Sequence, residues 1–418
     1  MLVSQLTDSY ILIGLDWADK KHDVCYYDGD KCINDVISSK PEHIHDWLHQ
    51  LHQHFEEKTL VIAYESGNVR LLNQLCQYKF VCQVPIPPQQ VKRYRDTFSP
   101  SGAKDDPTDA KLILDLIQRH GDHFNVLKPE SPQVRELTDL VEFRRRQVNQ
   151  RVKITNKIRT VLKRYYPQPL ELFDDIGTII FCDFLTKWPE PAKAKTTRRD
   201  VLFRFFENHN SRYPQVNKDR VDAIKSLVPL TDDQAVIRPC RLLLASLIGE
   251  LRSLLTSIEL FEQRIKVLTR SMTDYKLFKS LPGAGEINTA RLLAALGTNK
   301  DKYANATEML CHVGVAPVTQ RSGKSCIVRW RFQCPTFLRQ TFVEWAGQSI
   351  RSSAWAKAYY QIQIERGKHH NAAVRALAYK WGRILFRCWQ ENTLYDEAKY
   401  ITMLAEKKSP IIGYLASK

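Results

Sequence analysis

The sequence predicts an α/β domain at the N-terminus, followed by long helices and a mainly helical C-terminal domain. Three observations support this order. Short apolar runs alternate with helical stretches over residues 10–85, apolar residues recur at heptad spacing over 134–165 and 244–268, and an apolar helix at 287–296 opens the remainder. A chain of 418 residues exceeds what one compact core usually holds, so two or three domains are expected.

The N-terminal domain is predicted to begin with three strands. Residues 10–16 form a buried apolar run, and residues 23–27 and 32–38 form two further strands that turn at Asp28-Gly29-Asp30. The next elements are a helix over 42–55, a strand over 60–65, a helix over 68–78 and a short strand over 80–85. Three strands, helix, strand, helix, strand is the order of the ribonuclease-H-like fold. In that fold, catalytic acids lie at the ends of the first and fourth strands and on a later helix.

Four carboxylates, at Asp16, Glu65, Asp106 and Asp109, lie where a strand ends or a helix begins. If the sheet brings these ends together, the like charges raise one another's pKa. The cluster then needs a cation, and hard oxygen ligands select Mg²⁺ or Mn²⁺. A two-metal site on a basic protein indicates phosphodiester chemistry. Taken alone, Asp106-Pro107-Thr108-Asp109 is equally a good helix start, and Asp16 and Glu65 could be turn residues.

The composition indicates a polyanionic partner. The 62 Lys and Arg residues against 46 Asp and Glu residues give a net charge of +16, which suits nucleic acid, with an anionic membrane as the competing interpretation. No apolar run approaches the roughly 20 residues of a spanning helix, and the N-terminus resembles no export signal. We therefore expect a soluble, unexported protein of the bacterial cytoplasm and nucleoid, without a membrane partner. The ten cysteines form no Cys-x-x-Cys pair, which favours reduced thiols over zinc or disulfides.

Two long helices with apolar seams are predicted over 131–169 and 236–272. The first seam is basic and interrupted by Arg144, Arg151 and Thr155, and it contains Val134, Leu137, Val141, Val148, Ile158, Leu162 and Tyr165. The second is unbroken and contains Leu244, Leu247, Leu251, Leu254, Ile258, Phe261, Ile265 and Leu268. Such a seam is typical of a coiled coil. The helices could join protomers, form an intramolecular hairpin, or do both. Residues 170–235 between them are predicted to form a small helical insertion whose role is unassigned.

A glycine-rich turn opens the C-terminal domain, which is predicted over 273–418. The segment Leu281-Pro282-Gly283-Ala284-Gly285 precedes the apolar helix. A Gly-x-Gly turn at a helix N-terminus offers backbone N–H groups to phosphate, as helix-hairpin-helix DNA-binding elements do. Gly283 and Gly285 are therefore candidate nucleic-acid contacts. The alternative is a tight turn without a ligand.

A second motif lies far downstream of the acids. It runs Gly314-Val315-Ala316-Pro317-Val318-Thr319-Gln320-Arg321-Ser322-Gly323-Lys324, then Arg329-Trp330-Arg331-Phe332 and Leu338-Arg339-Gln340, and Tyr359-Tyr360-Gln361 with Glu365-Arg366-Gly367-Lys368 follow. Together with the turn at 281–285, this segment resembles the C-terminal transposase domain of the IS one-ten family of DEDD transposases. The resemblance covers almost the whole chain.

The resemblance implies a RuvC-like catalytic domain over 1–130 and a catalytic serine in the C-terminal domain. The family's four acids match Asp16, Glu65, Asp106 and Asp109, and its serine matches Ser322. Two segments depart from the family pattern. Glu65-Ser66-Gly67 replaces Glu-x-Thr-Gly, and Lys104-Asp105-Asp106 replaces Lys-Thr-Asp. The spacing to Asp109 favours Asp106 over Asp105 as the site acid, and Ser325 is the near alternative to Ser322.

The resemblance also implies a chemistry and partners. Mg²⁺ or Mn²⁺ held by the acids would activate Ser322 to form a phosphoserine with one DNA end. Acids and serine would come from different protomers of a dimer or tetramer, and a non-coding RNA would pair with donor and target DNA. Further nucleic-acid contacts are assigned to Lys324, Arg329, Arg331 and Arg339. A RuvC-like junction nuclease, which needs no serine, and a non-catalytic nucleic-acid-binding protein are the alternatives.

Overall fold

The computed structural model describes residues 2–3, 6, 9–98, 106–209, 211, 213–323 and 325–416, with the side chains of all but Phe98, Asp106, Pro107 and Ala416. The chain divides into two compact units, Met1–Pro129 and Glu130–Lys418. In the described part, no helix is long and apolar enough to cross a membrane.

The first unit contains a mixed five-stranded sheet. Its strands are β1 (Tyr10–Trp17), β2 (Lys21–Asp28), β3 (Lys31–Ser38), β4 (Thr59–Glu65) and β5 (Val81–Ile86), in the spatial order β3-β2-β1-β4-β5. The first three strands are antiparallel neighbours, whereas β4 runs parallel to β1, and β5 runs parallel to β4. The helices of this unit are α1 (Pro41–His54), α2 (Val69–Leu75), α3 (Pro88–Phe98) and α4 (Asp106–His120). The predicted order of strands and helices up to residue 86 is confirmed.

The two faces of this sheet pack on different helices. One face, with Ile13 and Leu15 of β1, packs on α1 and α2. The opposite face, which carries Ala63 of β4, packs on α3 and α4. Successive side chains of a strand point to opposite faces. Gly14 and Asp16 therefore lie on the face that α4 covers.

Gly14 lets α4 lie directly on β1. A Cβ atom at this position would overlap the carbonyl oxygen of Ala110 and come within 2.6 Å of the backbone nitrogen of Leu114. Backbone atoms of a helix cannot move aside singly, so the missing side chain sets how closely α4 approaches the strand that carries Asp16.

The substitution Gly14→Ala tests this close approach. The methyl group must displace α4, so the free energy of unfolding should fall by about 1–3 kcal/mol, measured by urea denaturation of the full chain. Gly249→Ala is the control, because its methyl group would meet no atom within 4 Å, and alanine favours a helix by up to about 1 kcal/mol. Wild-type stability of Gly14→Ala would contradict the packing described.

The second unit is mainly helical. Its elements are α5 (Pro132–Tyr165), α6 (Pro169–Leu172), α7 (Ile179–Lys187), α8 (Pro191–Thr196), α9 (Arg199–Asn208), α10 (Pro214–Ser226), α11 (Gln234–Ser271), α12 (Tyr275–Lys279), α13 (Glu286–Leu296), α14 (Ala306–His312), β6 (Val318–Ser322), β7 (Ser325–Arg329), α15 (Thr336–Ser349), α16 (Ala354–Glu365), α17 (His370–Glu391), α18 (Glu397–Glu406) and α19 (Pro410–Ala416).

The long helices α5 and α11 pack against each other within one chain. The Nε of Arg264 donates to Glu136 at 2.8 Å, and the Nε of Arg144 donates to Glu262 at 3.0 Å. Residue numbers thus rise along α5 as they fall along α11, so the pair is antiparallel. Glu262 thereby neutralises the charge of Arg144, one of the residues that interrupt the apolar seam of α5.

The unbroken seam of α11 is covered within this chain. Leu251 is fully buried and Ile258 is 7% exposed, and the other six seam residues are buried or half-buried. This agrees with the intramolecular hairpin alternative. These seam residues leave no apolar stripe exposed for joining protomers. The seam therefore does not support a coiled coil between protomers.

Aromatic side chains fill the rest of the second unit. In the helical insertion, Phe181, Phe184 and Phe206 are fully buried, and the C-terminal core contains four fully buried tryptophans, Trp345, Trp355, Trp381 and Trp389. The ten cysteines of the chain are free thiols in this structure.

Candidate active site

Two of the predicted acids lie at the ends of neighbouring parallel strands. Asp16 is the penultimate residue of β1, and Glu65 is the last residue of β4. The register pairs Leu15 with Tyr64, so the two acids follow on adjacent strands. Both are half-buried, and the indole Nε1 of Trp17 donates to the backbone carbonyl of Glu65 at 2.8 Å, which ties the two strand ends together. The acids share the sheet face that α4 covers.

Asp109 lies on α4 and is held by an arginine of α3. Its side chain is 5% exposed. The Nε and Nη2 atoms of Arg95 lie 2.9 and 2.8 Å from its Oδ1. Asp106 is the first residue of the same helix, but its side chain and the whole of Asp105 fall outside what the structure describes. The choice between these two acids therefore stays a prediction.

A further acid, which the sequence analysis did not assign, lies beside Asp16. Asp23 of β2 is its register partner across the antiparallel pair, and it is 3% exposed. Its Oδ2 lies 3.3 Å from the Nζ of Lys21, whereas its buried Oδ1 has no hydrogen-bond partner in the described part of the chain. Strand pairing supplies the only signal for this residue, because partners across a ladder share a face.

The described side chains contain no group of three or more His, Cys, Asp or Glu residues placed to hold a metal ion. The Asp106 side chain is not among the described side chains, and the carboxylate of Asp109 forms an ion pair with Arg95. The donor chemistry still fits Mg²⁺ or Mn²⁺. Carboxylate oxygens are the preferred ligands of these hard cations, and the Oδ1 atom of Asp23 is a buried acceptor to which no described residue donates.

Ser322 lies in the second unit, at the tip of a two-stranded hairpin. It ends β6 and pairs with Ser325, the first residue of β7. Gly323 takes a φ of +55° in the turn between them, a backbone conformation that suits glycine. Ser322 and Ser325 are both exposed. A hydroxyl at an exposed hairpin tip can approach a bound polymer, but so can its neighbour, and geometry does not separate the two.

The arginines that were assigned to nucleic acid lie on or below this hairpin. Arg329 is exposed and pairs with Val318 at the base of the strands. The Nε of Arg331 donates to the carbonyl of Ala316 at 3.2 Å, and the Nη1 of Arg339 donates to the carbonyl of Arg331 at 2.8 Å. Lys324 falls outside the described residues.

The turn at 281–285 is tightly packed in the second unit. A Cβ at Gly283 would come within 2.6 Å of the backbone nitrogen of Ser349. Glu286 begins the helix that follows Gly285, and Arg270 holds the pKa of its carboxyl below the usual range. The first turn of this helix thus carries a carboxylate, which is paired with Arg270 at 2.8 Å. The packing accounts for Gly283 without a ligand, and the nucleic-acid role of the two glycines stays a prediction.

Two family models match different parts of the chain, and both describe transposases. Residues 13–167 match a model described as a transposase of the DEDD, IS110 type, and residues 275–361 match the model described as the transposase IS116/IS110/IS902 family. The chain belongs to this family of insertion-sequence transposases, as the motifs in its sequence indicated. The two matched segments contain all five residues that were predicted to be catalytic.

Curated relatives extend the similarity over nearly the full length. The mini-circle protein of IS117 from Streptomyces coelicolor is 26% identical over 408 residues, which are 95% of this chain and 98% of the relative. The IS110 protein of the same organism is 25% identical over 81% of this chain and 83% of its own length. The IS900 protein of Mycobacterium paratuberculosis is 26% identical over 82% of this chain and 85% of its own length.

Proposed function

We propose that this transposase excises and inserts its element by cutting DNA at a carboxylate site and transferring the cut strand to Ser322. The observation that carries the proposal is the placement of Asp16 and Glu65 at adjacent strand ends, beneath the helix that carries Asp106 and Asp109. The strand order agrees with a ribonuclease-H-like, RuvC-like domain, in which acids occupy these positions.

In this proposal, Asp16, Glu65, Asp106 and Asp109 hold one or two divalent cations. When bound, Mg²⁺ or Mn²⁺ would polarise the scissile phosphate and favour the serine alkoxide. Arg95 holds the carboxylate of Asp109 on α4, the helix that covers the sheet face of Asp16 and Glu65. The buried carboxylate of Asp23 adds negative charge beside Asp16, which increases the attraction of the site for a cation.

Ser322 would act as the nucleophile. Its Oγ attacks the phosphorus and forms a phosphoserine ester, while the bond from phosphorus to the leaving deoxyribose oxygen breaks. The proton of the serine hydroxyl ends on that leaving oxygen. One phosphoester bond replaces another, so attack by a deoxyribose hydroxyl can reverse the step and rejoin strands without an external energy source. A nuclease that uses water cannot do this.

The sequence specificity would come from a non-coding RNA, and the active complex would be a dimer or tetramer with acids and serine from different protomers. Two features support this proposal. The net charge of +16 suits polyanion binding, and the family resemblance implies a guide. A protein that delegates sequence to base pairing needs to bind only backbone and shape.

The RNA content of the purified protein tests the guided part of this proposal. We expect a discrete co-purifying RNA, and ribonuclease treatment should eliminate sequence-specific recombination. DNA affinity should fall with salt at a log–log slope of about −0.9 per phosphate neutralised on duplex DNA. Adding back the RNA should restore specificity. Full specific activity of RNA-free protein would instead indicate direct reading of the sequence.

A further inference from the structure

Trp330, the residue that follows the hairpin bearing Ser322, is half-buried, and two arginine side chains lie over its indole ring. The guanidinium carbon of Arg375, from α17, lies 4.2 Å from the centre of the Trp330 ring, and that of Arg339, from α15, lies 4.8 Å from the same ring. Residues distant in sequence thus converge on one indole, and each arginine gains a cation–π contact.

The charge of this cluster is not balanced. Among the described residues, neither Arg339 nor Arg375 forms an ion pair with a carboxylate. Burial and the neighbouring Arg339 lower the pKa of Arg375 from its usual value. The indole quadrupole offsets only part of the repulsion between two cations at one ring. The cluster is therefore suited to an anion.

The donors of the two guanidinium groups remain partly available. A guanidinium over a ring keeps its N–H groups in its own plane, where they can meet an oxyanion. Among the residues that the structure describes, only the Nη1 of Arg339 has partners, namely the carbonyl of Arg331 at 2.8 Å and the Sγ of Cys334 at 3.4 Å. Arg375 has no hydrogen bond to another described residue.

A glycine lets the loop that follows the hairpin pack closely on the chain that precedes it. A Cβ at Gly314, which has a φ of +79°, would overlap the Sγ of Cys334 and lie 3.3 Å from the Cβ of Arg339. The loop after β7 therefore packs closely on the chain that precedes β6.

We propose that Trp330, Arg339 and Arg375 form a binding site for a phosphodiester of DNA at the base of the hairpin that carries Ser322. The proposal rests on the proposed function, in which this hairpin meets DNA. Trp330 is five residues from Ser325, the register partner of Ser322. At about 3.3 Å per residue the two sites are roughly 16 Å apart. The cluster therefore positions DNA, and it is too distant to touch the reacting phosphate.

The test compares equilibrium DNA binding by the full chain with Arg375→Gln and Arg351→Gln. Arg351 is exposed, lies in the same unit and has no side-chain hydrogen bond or ion pair among the described residues, so its substitution removes the same charge. The probe is a duplex of the element end, measured by fluorescence anisotropy over a range of salt concentrations. Arg375→Gln should weaken binding and reduce the log–log salt slope by about one. Arg351→Gln should change the affinity and the salt slope by only a small fraction of the effect of Arg375→Gln.

Two additional variants keep the result interpretable. Trp330→Phe preserves an aromatic face and should retain most of the DNA affinity. Trp330→Ala should lose DNA affinity and should show the same reduction of the salt slope as Arg375→Gln. Near-ultraviolet circular dichroism identifies any variant that fails to fold. If wild-type protein binds DNA and Arg375→Gln binds equally well with an unchanged slope, the site is wrong while the proposed function stands. If wild-type protein binds no DNA, the proposed function fails first.

A second probe distinguishes DNA from RNA as the source of the phosphodiester. An RNA hairpin of the same length is titrated against the same variants. A defect of Arg375→Gln that appears on the duplex DNA supports the proposal. A defect confined to the RNA would overturn it, because the cluster would then serve the guide.

Discussion

Ser322→Ala should abolish strand exchange and leave the fold and DNA affinity unchanged. The substitution removes only a hydroxyl from an exposed hairpin tip, so no buried packing or described hydrogen bond is lost. Without a nucleophile no covalent intermediate can form, and recombination between donor and target should fall by at least about a thousandfold. A recombination assay with purified protein, guide RNA and both DNA substrates measures this loss.

Ser325→Ala is the matched control for that experiment. Ser325 faces Ser322 across the hairpin register and is equally exposed, so its substitution removes the same group from the same turn. It should recombine at close to the wild-type rate. If Ser322→Ala recombines normally and Ser325→Ala is inactive, Ser325 is the nucleophile. If Ser322→Ala cleaves DNA at the wild-type rate, hydrolysis by water, as in a junction nuclease, is favoured.

The second large effect is expected at the carboxylates. Asp16→Asn, Glu65→Gln, Asp106→Asn and Asp109→Asn should each reduce strand cleavage by more than about a hundredfold, because residues that merely orient metal ligands already contribute tenfold to a hundredfold. DNA binding should persist. Asp109→Asn also removes the charge that Arg95 pairs with in a buried position, so it should lower stability as well as activity. Cleavage rates in Mg²⁺ and in Mn²⁺, with thermal unfolding of each variant, separate the two losses.

Asp30→Asn is the control for the acids. Asp30 is an exposed turn residue between β2 and β3, at the opposite end of the sheet from Asp16, and its substitution should have no effect. Asp105→Asn should likewise have little effect on cleavage. If Asp105→Asn is inactive and Asp106→Asn is active, Asp105 rather than Asp106 is the site acid. Mixing Asp16→Asn with Ser322→Ala protein should restore part of the activity if acids and serine act from different protomers. No restoration would favour a site built within one protomer.

The sheet of the first unit could be predicted because its strands are short apolar runs bounded by turn residues. Asp16 and Glu65 end two of those runs, so their places follow from the sequence alone. Asp23 and Arg95 could not be found this way. The first depends on the register between β1 and β2, and the second on how α3 packs beside α4. Both are tertiary relations that leave no periodic signal.

The second unit was less predictable for the same reason. Heptad spacing identified the seam of α11 but not its partner, because an apolar stripe is equally suited to a helix of the same chain or of another. Pairing of Arg264 with Glu136 in an antiparallel arrangement depends on the fold of the residues between the two helices. The convergence of Arg375 on Trp330 joins positions 45 residues apart by number, so it depends on how α17 packs beside the loop after β7.

Mapping the covalent adduct on the wild-type protein tests the central claim most directly. Protein, guide RNA and Mg²⁺ are incubated with an element-end substrate that carries a nick near the cleavage point, so that a cut strand is released and the intermediate accumulates. After denaturation and digestion, mass spectrometry should identify the DNA-linked peptide with the phosphodiester on Ser322. Cleaved DNA with no adduct, or an adduct on Ser325 or another residue, would contradict the proposed mechanism.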